Sequence, residues 1–162
     1  MAERGHRVYA TQTLRVSKRI EAPLAYVYAW ATDFREDDGR LSRRRPRPRF
    51  RVVRLSPRRT LRIRFSGPSS KDPRIAVDVI RFDPPNAWHT DQIDEEDRMA
   101  LDYRLTALTS RATRIDLFVT ERWVVPDYPS RTEVRRRVRA SWDHLAALIE
   151  DDYRKGRPAR GR

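Results

Sequence analysis

The chain has 162 residues, a length typical of one domain, and its formal net charge is +13 at pH 7. It contains no cysteine, which excludes disulfide bonds and thiolate chemistry. No segment approaches the roughly 20 apolar residues that a membrane span needs, and polar Met1–Tyr9 lacks the apolar core of a secretory signal. We therefore expect a cytoplasmic protein with one domain at residues 9–155 and flexible termini at 1–8 and 156–162.

The positive charge is distributed unevenly along the chain. Of the 36 basic residues all but three are arginines, and twelve of these arginines lie between Gly39 and Ser70, where the sequence has no acidic residue. Acidic clusters occur at Asp33–Asp38 and Asp91–Asp97. This asymmetry predicts a surface that faces an anionic partner, although a general bias toward arginine would produce the same pattern.

The N-terminal third begins with a strand and continues with short helices. Alternating apolar and polar residues predict a strand over Tyr9–Glu21. Pro23 suits the first turn of a helix, which we expect over Leu24–Thr32. A second short helix or turn follows at Asp33–Arg40, and Arg43–Arg49 is too rich in proline and arginine to be anything but a loop.

The middle of the chain is a series of strands separated by turn residues. Leu61, Ile63 and Phe65 alternate with arginines, which predicts that the apolar residues face the core and the arginines face solvent. The apolar phase switches between Val79 and Ile80, which is compatible with a β-bulge. The six predicted strands are Phe50–Leu55, Thr60–Ser66, Ile75–Phe82, Ala87–Ile93, Arg98–Leu108 and Thr113–Val125.

A long amphipathic helix ends the chain. Ser130 and Glu133 form the S-x-x-E pattern of a capping box, and the helix is predicted to continue to about Tyr153. One face of this helix is apolar; it comprises Val134, Val138, Trp142, Leu145 and Ile149. We predict an α+β helix-grip fold, in which a curved antiparallel sheet of six to seven strands wraps around this helix. A strongly curved sheet does not press evenly on one helix, so we also expect a cavity between them.

Two sequence motifs resemble those of the START/polyketide-cyclase (SRPBCC, Bet v 1-like) superfamily. The first is Ile20-Glu21-Ala22-Pro23, followed by Val27, Trp30 and Asp33, which looks like the family's first strand and helix. The second is Tyr103-Arg104-Leu105-Thr106 with Ala112-Thr113-Arg114-Ile115, which is similar to its penultimate hairpin, although Ala112 replaces the usual glycine. The resemblance implies a pocket for a hydrophobic ligand and, in some members, cyclase, dehydratase or hydrolase activity.

The predicted inward faces of the strands and the long helix supply the candidate ligand-binding residues. Glu121 is expected on the covered face, where a carboxylate needs a partner or a raised pKa. Tyr103 is expected to point its hydroxyl into the cavity, which should open toward Asp33–Arg40 and Pro126–Ser130. The full candidate set is Leu101, Tyr103, Leu105, Leu117, Val119, Glu121, Trp123, Val138, Trp142 and Leu145.

Three functions are compatible with these observations. The first is binding of a small hydrophobic or aromatic ligand, and the second is a cyclase-like or dehydratase-like reaction in the same cavity. In that reaction Glu121, Tyr103 or His89, which lies in phase with Asp91, would transfer protons. The third is docking on nucleic acid or another polyanion through Arg43, Arg44, Arg45 and Arg47. Because the sequence holds no metal-binding or phosphate-loop motif, no metal or cofactor is expected.

Overall fold

The computed structural model describes residues 9–67, 73–94, 97–124 and 130–159. These residues form seven strands, two α-helices and one 3₁₀ helix. In chain order the elements are β1 (Tyr9–Ile20), α1 (Leu24–Thr32), the 3₁₀ helix (Glu36–Leu41), β2 (Arg49–Ser56), β3 (Arg59–Ser66), β4 (Arg74–Asp83), β5 (Ala87–Ile93), β6 (Arg98–Thr109), β7 (Ala112–Val124) and α2 (Arg131–Arg154).

All seven strands belong to one antiparallel sheet, whose order is β1-β7-β6-β5-β4-β3-β2. Consecutive strands from β2 to β7 pair as hairpins, while β1 crosses back to pair with β7 along its whole length. The α2 helix packs on the concave face and buries Val134, Trp142, Ala146 and Ile149. The predicted α+β fold, a curved sheet that grips one C-terminal helix, is therefore confirmed.

The start of α2 agrees with the predicted capping box. The side-chain oxygen of Ser130 accepts a hydrogen bond from the backbone N–H of Glu133 at 3.3 Å, which satisfies one of the free donors at the helix start. After the helix ends, the guanidinium of Arg157 lies 2.6 Å from Asp152. The hydroxyl of Tyr26 donates to the backbone carbonyl of Arg157 at 3.0 Å, so this part of the C-terminal segment contacts α1.

The prediction for the two faces of β3 was wrong. Arg62 lies opposite Asp78 on β4, and Asp78 is completely buried on the concave side of the sheet. Since successive side chains of a strand point to opposite faces, Arg62 and Arg64 face the interior. Leu61, Ile63 and Phe65 therefore lie on the convex face, where they are half-buried. Two arginines thus occupy the wall that was expected to be apolar.

The expected change of phase in β4 does not occur. Pairing between β3 and β4 runs in one continuous register from Arg59 opposite Arg81 to Ser66 opposite Arg74. The inward residues are Ala76, Asp78, Ile80 and Phe82, all of them buried. An acidic residue in this inward series made the apolar pattern look interrupted, although the strand has no bulge.

No helix among the described residues is long and apolar enough to cross a membrane.

Candidate functional site

Two adjoining cavities lie between the concave face of the sheet and α2. Their volumes are about 520 Å³ and about 390 Å³. Arg64, Tyr103 and Trp142 line both of them, so the two cavities are direct neighbours, which we call the cavity region. The larger cavity is bounded on one side by residues of the 3₁₀ helix and the loop after it, and on the other by the middle of α2.

Aromatic side chains form one wall of the larger cavity. Trp88 and Tyr103 lie opposite each other on β5 and β6, and their rings are stacked with centroids 4.4 Å apart and an interplanar angle of 11°. Trp142 of α2 approaches Tyr103 with ring centroids 5.8 Å apart. Such a set of rings offers flat apolar surface to a ligand with an aromatic or alicyclic body.

The hydroxyl of Tyr103 is the polar group on this wall. It makes no hydrogen bond to any residue that the structure describes. Burial raises the pKa of Tyr103 far above its ordinary value, so the hydroxyl keeps its proton at physiological pH. Tyr103 is therefore suited to donate a hydrogen bond to an acceptor on a ligand, and it is unsuited to act as a base.

An ion pair between β3 and β4 also lines the larger cavity. One carboxylate oxygen of Asp78 accepts hydrogen bonds from the Nε and Nη2 of Arg62 at 2.9 Å and 2.7 Å. The guanidinium carbon of Arg62 lies 4.7 Å from the ring centre of Phe34 and 4.9 Å from that of Phe50. Arg62 is thus held in place by one carboxylate and two aromatic rings.

Polar groups also surround the cavity near the 3₁₀ helix. Asp33 is buried, and one of its oxygens lies 2.6 Å from the Nη2 of Arg35. His144 of α2 is half-buried, and its Nε2 lies 2.7 Å from the backbone carbonyl of Leu41. Both side chains line the larger cavity, at the side where residues 33–40 were expected to form an opening. The other predicted side of that opening, Pro126–Pro129, lies outside the described residues.

Glu121 lines the smaller cavity and is almost completely buried, with 3% of its surface exposed. One of its oxygens lies 3.5 Å from the Nη2 of Arg137 on α2. Its other oxygen and the side-chain Nε2 of Gln12, opposite on β1, are both buried without a hydrogen-bond partner among the described residues. This arrangement provides a carboxylate that can accept a proton or a hydrogen bond from a ligand in the same cavity as Tyr103.

The predicted ligand-binding residues divide into two groups. Most of them line one or both cavities: Leu101, Tyr103, Leu117, Glu121, Val138, Trp142 and Leu145. Leu105, Val119 and Trp123 are buried and line neither of these two cavities. Sequence reasoning missed the wall formed by Arg62, Arg64 and Asp78, and the inward residues of β5, because cross-strand register and not local pattern places them.

The four arginines predicted to contact polyanions lie in the loop between the 3₁₀ helix and β2. Arg43, Arg44, Arg45 and Arg47 are all exposed. Arg43 and Arg44 also line the larger cavity, so their charge is presented at its edge and not on a remote surface. Binding of nucleic acid or another polyanion by this loop stays a prediction.

His89 points away from the cavity, which corrects its assignment as a proton donor or acceptor there. Its strand neighbour Trp88 faces inward, so His89 lies on the convex face. The ring forms the predicted contact with Asp91, with Nε2 2.8 Å from the carboxylate, and its Nδ1 lies 2.6 Å from Asp102. Arg81, opposite His89 on β4, lies 3.2 Å from Asp91.

These contacts predict a pH-dependent contribution of His89 to stability. Partial burial lowers the pKa of His89, but the hydrogen bonds with Asp102 and Asp91 outweigh burial and raise the pKa above its ordinary value. Because the folded-state pKa is the higher one, the stabilisation is complete below the unfolded pKa of about 6.5 and is lost as the pH rises through the folded pKa.

The measurement is the free energy of unfolding in urea for the wild type and His89→Gln between about pH 5.5 and about pH 9. The advantage of the wild type should shrink as the pH rises. An NMR titration of the imidazole should give a pKa above about 6.5. An advantage that is constant, or that grows with pH, would contradict the assignment of the two carboxylates as partners of a charged ring.

Comparison with known proteins shows likeness at the level of the fold. No protein-family model matches the sequence, and the search of curated proteins gives no match. Among solved structures, the Zhui aromatase/cyclase from a Streptomyces species has a TM-score of 0.66 at 12% identity, covering 94% of this chain and 100% of the other. A START superfamily protein from Mycobacterium smegmatis has a TM-score of 0.62 at 11% identity, covering 88% of this chain and 97% of the other.

A norcoclaurine synthase variant from Thalictrum flavum, solved in complex with a transition-state analogue, has a TM-score of 0.64 at 11% identity. This alignment covers 90% of the present chain and 98% of the other. The chain therefore has the SRPBCC or Bet v 1-like helix-grip fold that its motifs resemble. At these identities the likeness establishes the fold alone, so the function has to be argued from the cavity.

Proposed function

We propose that this protein binds a small, largely apolar molecule with a ring system in the region between the sheet and α2. The observation that carries the proposal is the cavity of about 520 Å³ with the stacked rings of Trp88 and Tyr103 in its wall. Its volume lies within the range of about 300–1,000 Å³ that is typical of small-molecule sites.

Polar and charged side chains share the lining of the two cavities with the aromatic wall, and such groups fix the orientation of a ligand. The Tyr103 hydroxyl has no hydrogen-bond partner among the described residues, and one carboxylate oxygen of Glu121 is buried without such a partner. A buried polar group without a partner costs about 1–3 kcal/mol. A ligand or water that satisfies these groups therefore gains binding free energy, and this supports a ligand with at least one polar substituent.

A fluorescence titration with the neutral, environment-sensitive dye N-phenyl-naphthylamine tests the proposal. The dye should bind to the wild type with increased emission, because the cavity is apolar on its aromatic side. Leu101→Trp should lower dye affinity by at least about tenfold, since Leu101 lines both cavities and a tryptophan there fills them. The same overpacking should destabilise the fold by about 1–3 kcal/mol.

Leu108→Trp is the matched control for this substitution. Leu108 lies on the same strand, is 40% exposed and lines neither cavity, so the same tryptophan there should leave dye affinity unchanged. Absence of dye binding to the folded wild type, or equal loss of affinity in both variants, would show that the dye does not enter the region between sheet and helix.

A further inference from the structure

The larger cavity is lined by more arginines than acidic residues. Five arginines and three aspartates line the larger cavity. Arg62 is neutralised by Asp78 at 2.7 Å, and Asp33 is neutralised by Arg35 at 2.6 Å. A buried guanidinium without a paired carboxylate is costly, because it loses part of its hydration.

Arg64 is the one of these arginines that combines a buried nitrogen with the lack of a paired carboxylate among the described residues. It lines both cavities, and the structure places no carboxylate of a described residue within ion-pair distance of its guanidinium. Its Nε is buried and has no hydrogen-bond partner among the described residues. Its inward neighbours on the flanking strands are Ala76 and Phe50, whose side chains offer no polar atom.

The surroundings of Arg64 act on its charge in both directions. Burial lowers the pKa of Arg64 most, Asp78 raises it, Arg44 and Arg62 lower it, and Asp94 raises it. An arginine nevertheless keeps its proton in proteins, so the cavity retains a positive charge whose hydration is incomplete. An anion in the cavity could accept hydrogen bonds from the guanidinium of Arg64.

We propose that the ligand of this cavity is an amphipathic aromatic acid, whose carboxylate binds the guanidinium of Arg64 while its ring packs on Trp88, Tyr103 and Trp142. This inference rests on the proposed function and specifies its ligand class. A guanidinium and a carboxylate are both planar and form two parallel hydrogen bonds, so the pair selects a carboxylate over a neutral group of the same shape.

The test compares naphthoic acid with naphthamide, substituted at the same ring position, as competitors of the neutral dye N-phenyl-naphthylamine. The two competitors share their ring system and nearly share their shape, and they differ in charge. Wild type should bind the acid at least about tenfold more tightly than the amide, because hydrogen bonds to charged groups are the stronger ones.

Three variants assign that preference to its residue. Arg64→Gln should reduce affinity for the acid to that for the amide, while affinities for the amide and the dye change by less than about twofold. Arg64→Lys should keep part of the preference for the acid that Arg64→Gln loses, since lysine keeps the positive charge but lacks the planar set of guanidinium N–H donors. Arg51→Gln, on the neighbouring strand β2, removes an exposed arginine that lines neither cavity and should leave all three affinities unchanged.

The outcomes separate this inference from the proposed function. If the dye does not bind the folded wild type, the proposed function fails and the ligand class fails with it. If the dye binds but acid and amide compete equally, the ligand class alone is overturned. Equal loss of acid and amide binding in Arg64→Gln, with thermal unfolding unchanged, would also overturn the ligand class. Arg64 would then shape the cavity without distinguishing a charged ligand from a neutral one.

Discussion

Ile149→Asp is expected to abolish cooperative folding. Ile149 is completely buried on the face of α2 that meets the sheet, with 0% of its surface exposed. Loss of the isoleucine side chain removes about 1.5–3 kcal/mol of burial free energy. An unpaired carboxylate in the same place costs several kcal/mol more, and the sum reaches the 5–15 kcal/mol that typically separates the folded from the unfolded state.

Ala147→Asp places the same carboxylate two residues earlier in the same helix, where the side chain is exposed. This variant should unfold within about 0.5 kcal/mol of the wild type, as surface substitutions usually do. Urea unfolding followed by circular dichroism measures both variants. A cooperative transition of Ile149→Asp close to that of the wild type would show that α2 does not close the core.

The sequence allowed the elements and their order to be predicted because their signals are local. The apolar stripe of α2 repeats at helical spacing after a capping box, and in β6 every second residue from Met99 to Ala107 is apolar or aromatic. Four of the five connections between β2 and β7 contain Pro, Gly, Asn or Ser, and the fifth is the acidic segment 94–97. Each of these features is contained in a few neighbouring residues, so no knowledge of the packed structure was needed.

The faces of β3 were assigned wrongly because an alternating pattern shows which residues share a face but not which of the two faces is buried. Leu61, Ile63 and Phe65 share one face and Arg62 and Arg64 share the other, and hydrophobicity alone favours the apolar face as the inner one. The observed orientation of β3 depends on Asp78, which lies sixteen residues away from Arg62 in the sequence and neutralises this inward arginine. Such compensation is not visible in a local pattern.

The candidate site was predictable only where it shares residues with the core. Tyr103, Glu121 and Trp142 follow from strand and helix phase, and they line the cavity region. Trp88 stacks on Tyr103 because β5 and β6 pair in a particular register. Arg64 reaches the cavity because the phase of β3 is inverted. Both facts depend on interactions between strands, which a single sequence does not specify.

Asp78→Ala should be the most destabilising removal of a charge from the cavity wall, with a loss of about 3–5 kcal/mol in the free energy of unfolding. Asp78 is completely buried, and it accepts two hydrogen bonds from Arg62. Without it, the guanidiniums of Arg62 and Arg64 share a partly desolvated region in which no carboxylate of a described residue is paired with either. Urea unfolding of wild type and variant measures the loss.

Two further variants show whether this loss comes from an unpaired charge. Asp143→Ala removes the carboxylate of an exposed pair with Lys18 and should cost less than about 1 kcal/mol, because water screens that pair. The double variant Arg62→Met/Asp78→Leu replaces both charges by apolar side chains, so it should be more stable than Asp78→Ala although it carries one more substitution. A double variant less stable than Asp78→Ala would mean that Arg62 supports the wall through its packing between Phe34 and Phe50, and that its charge contributes little.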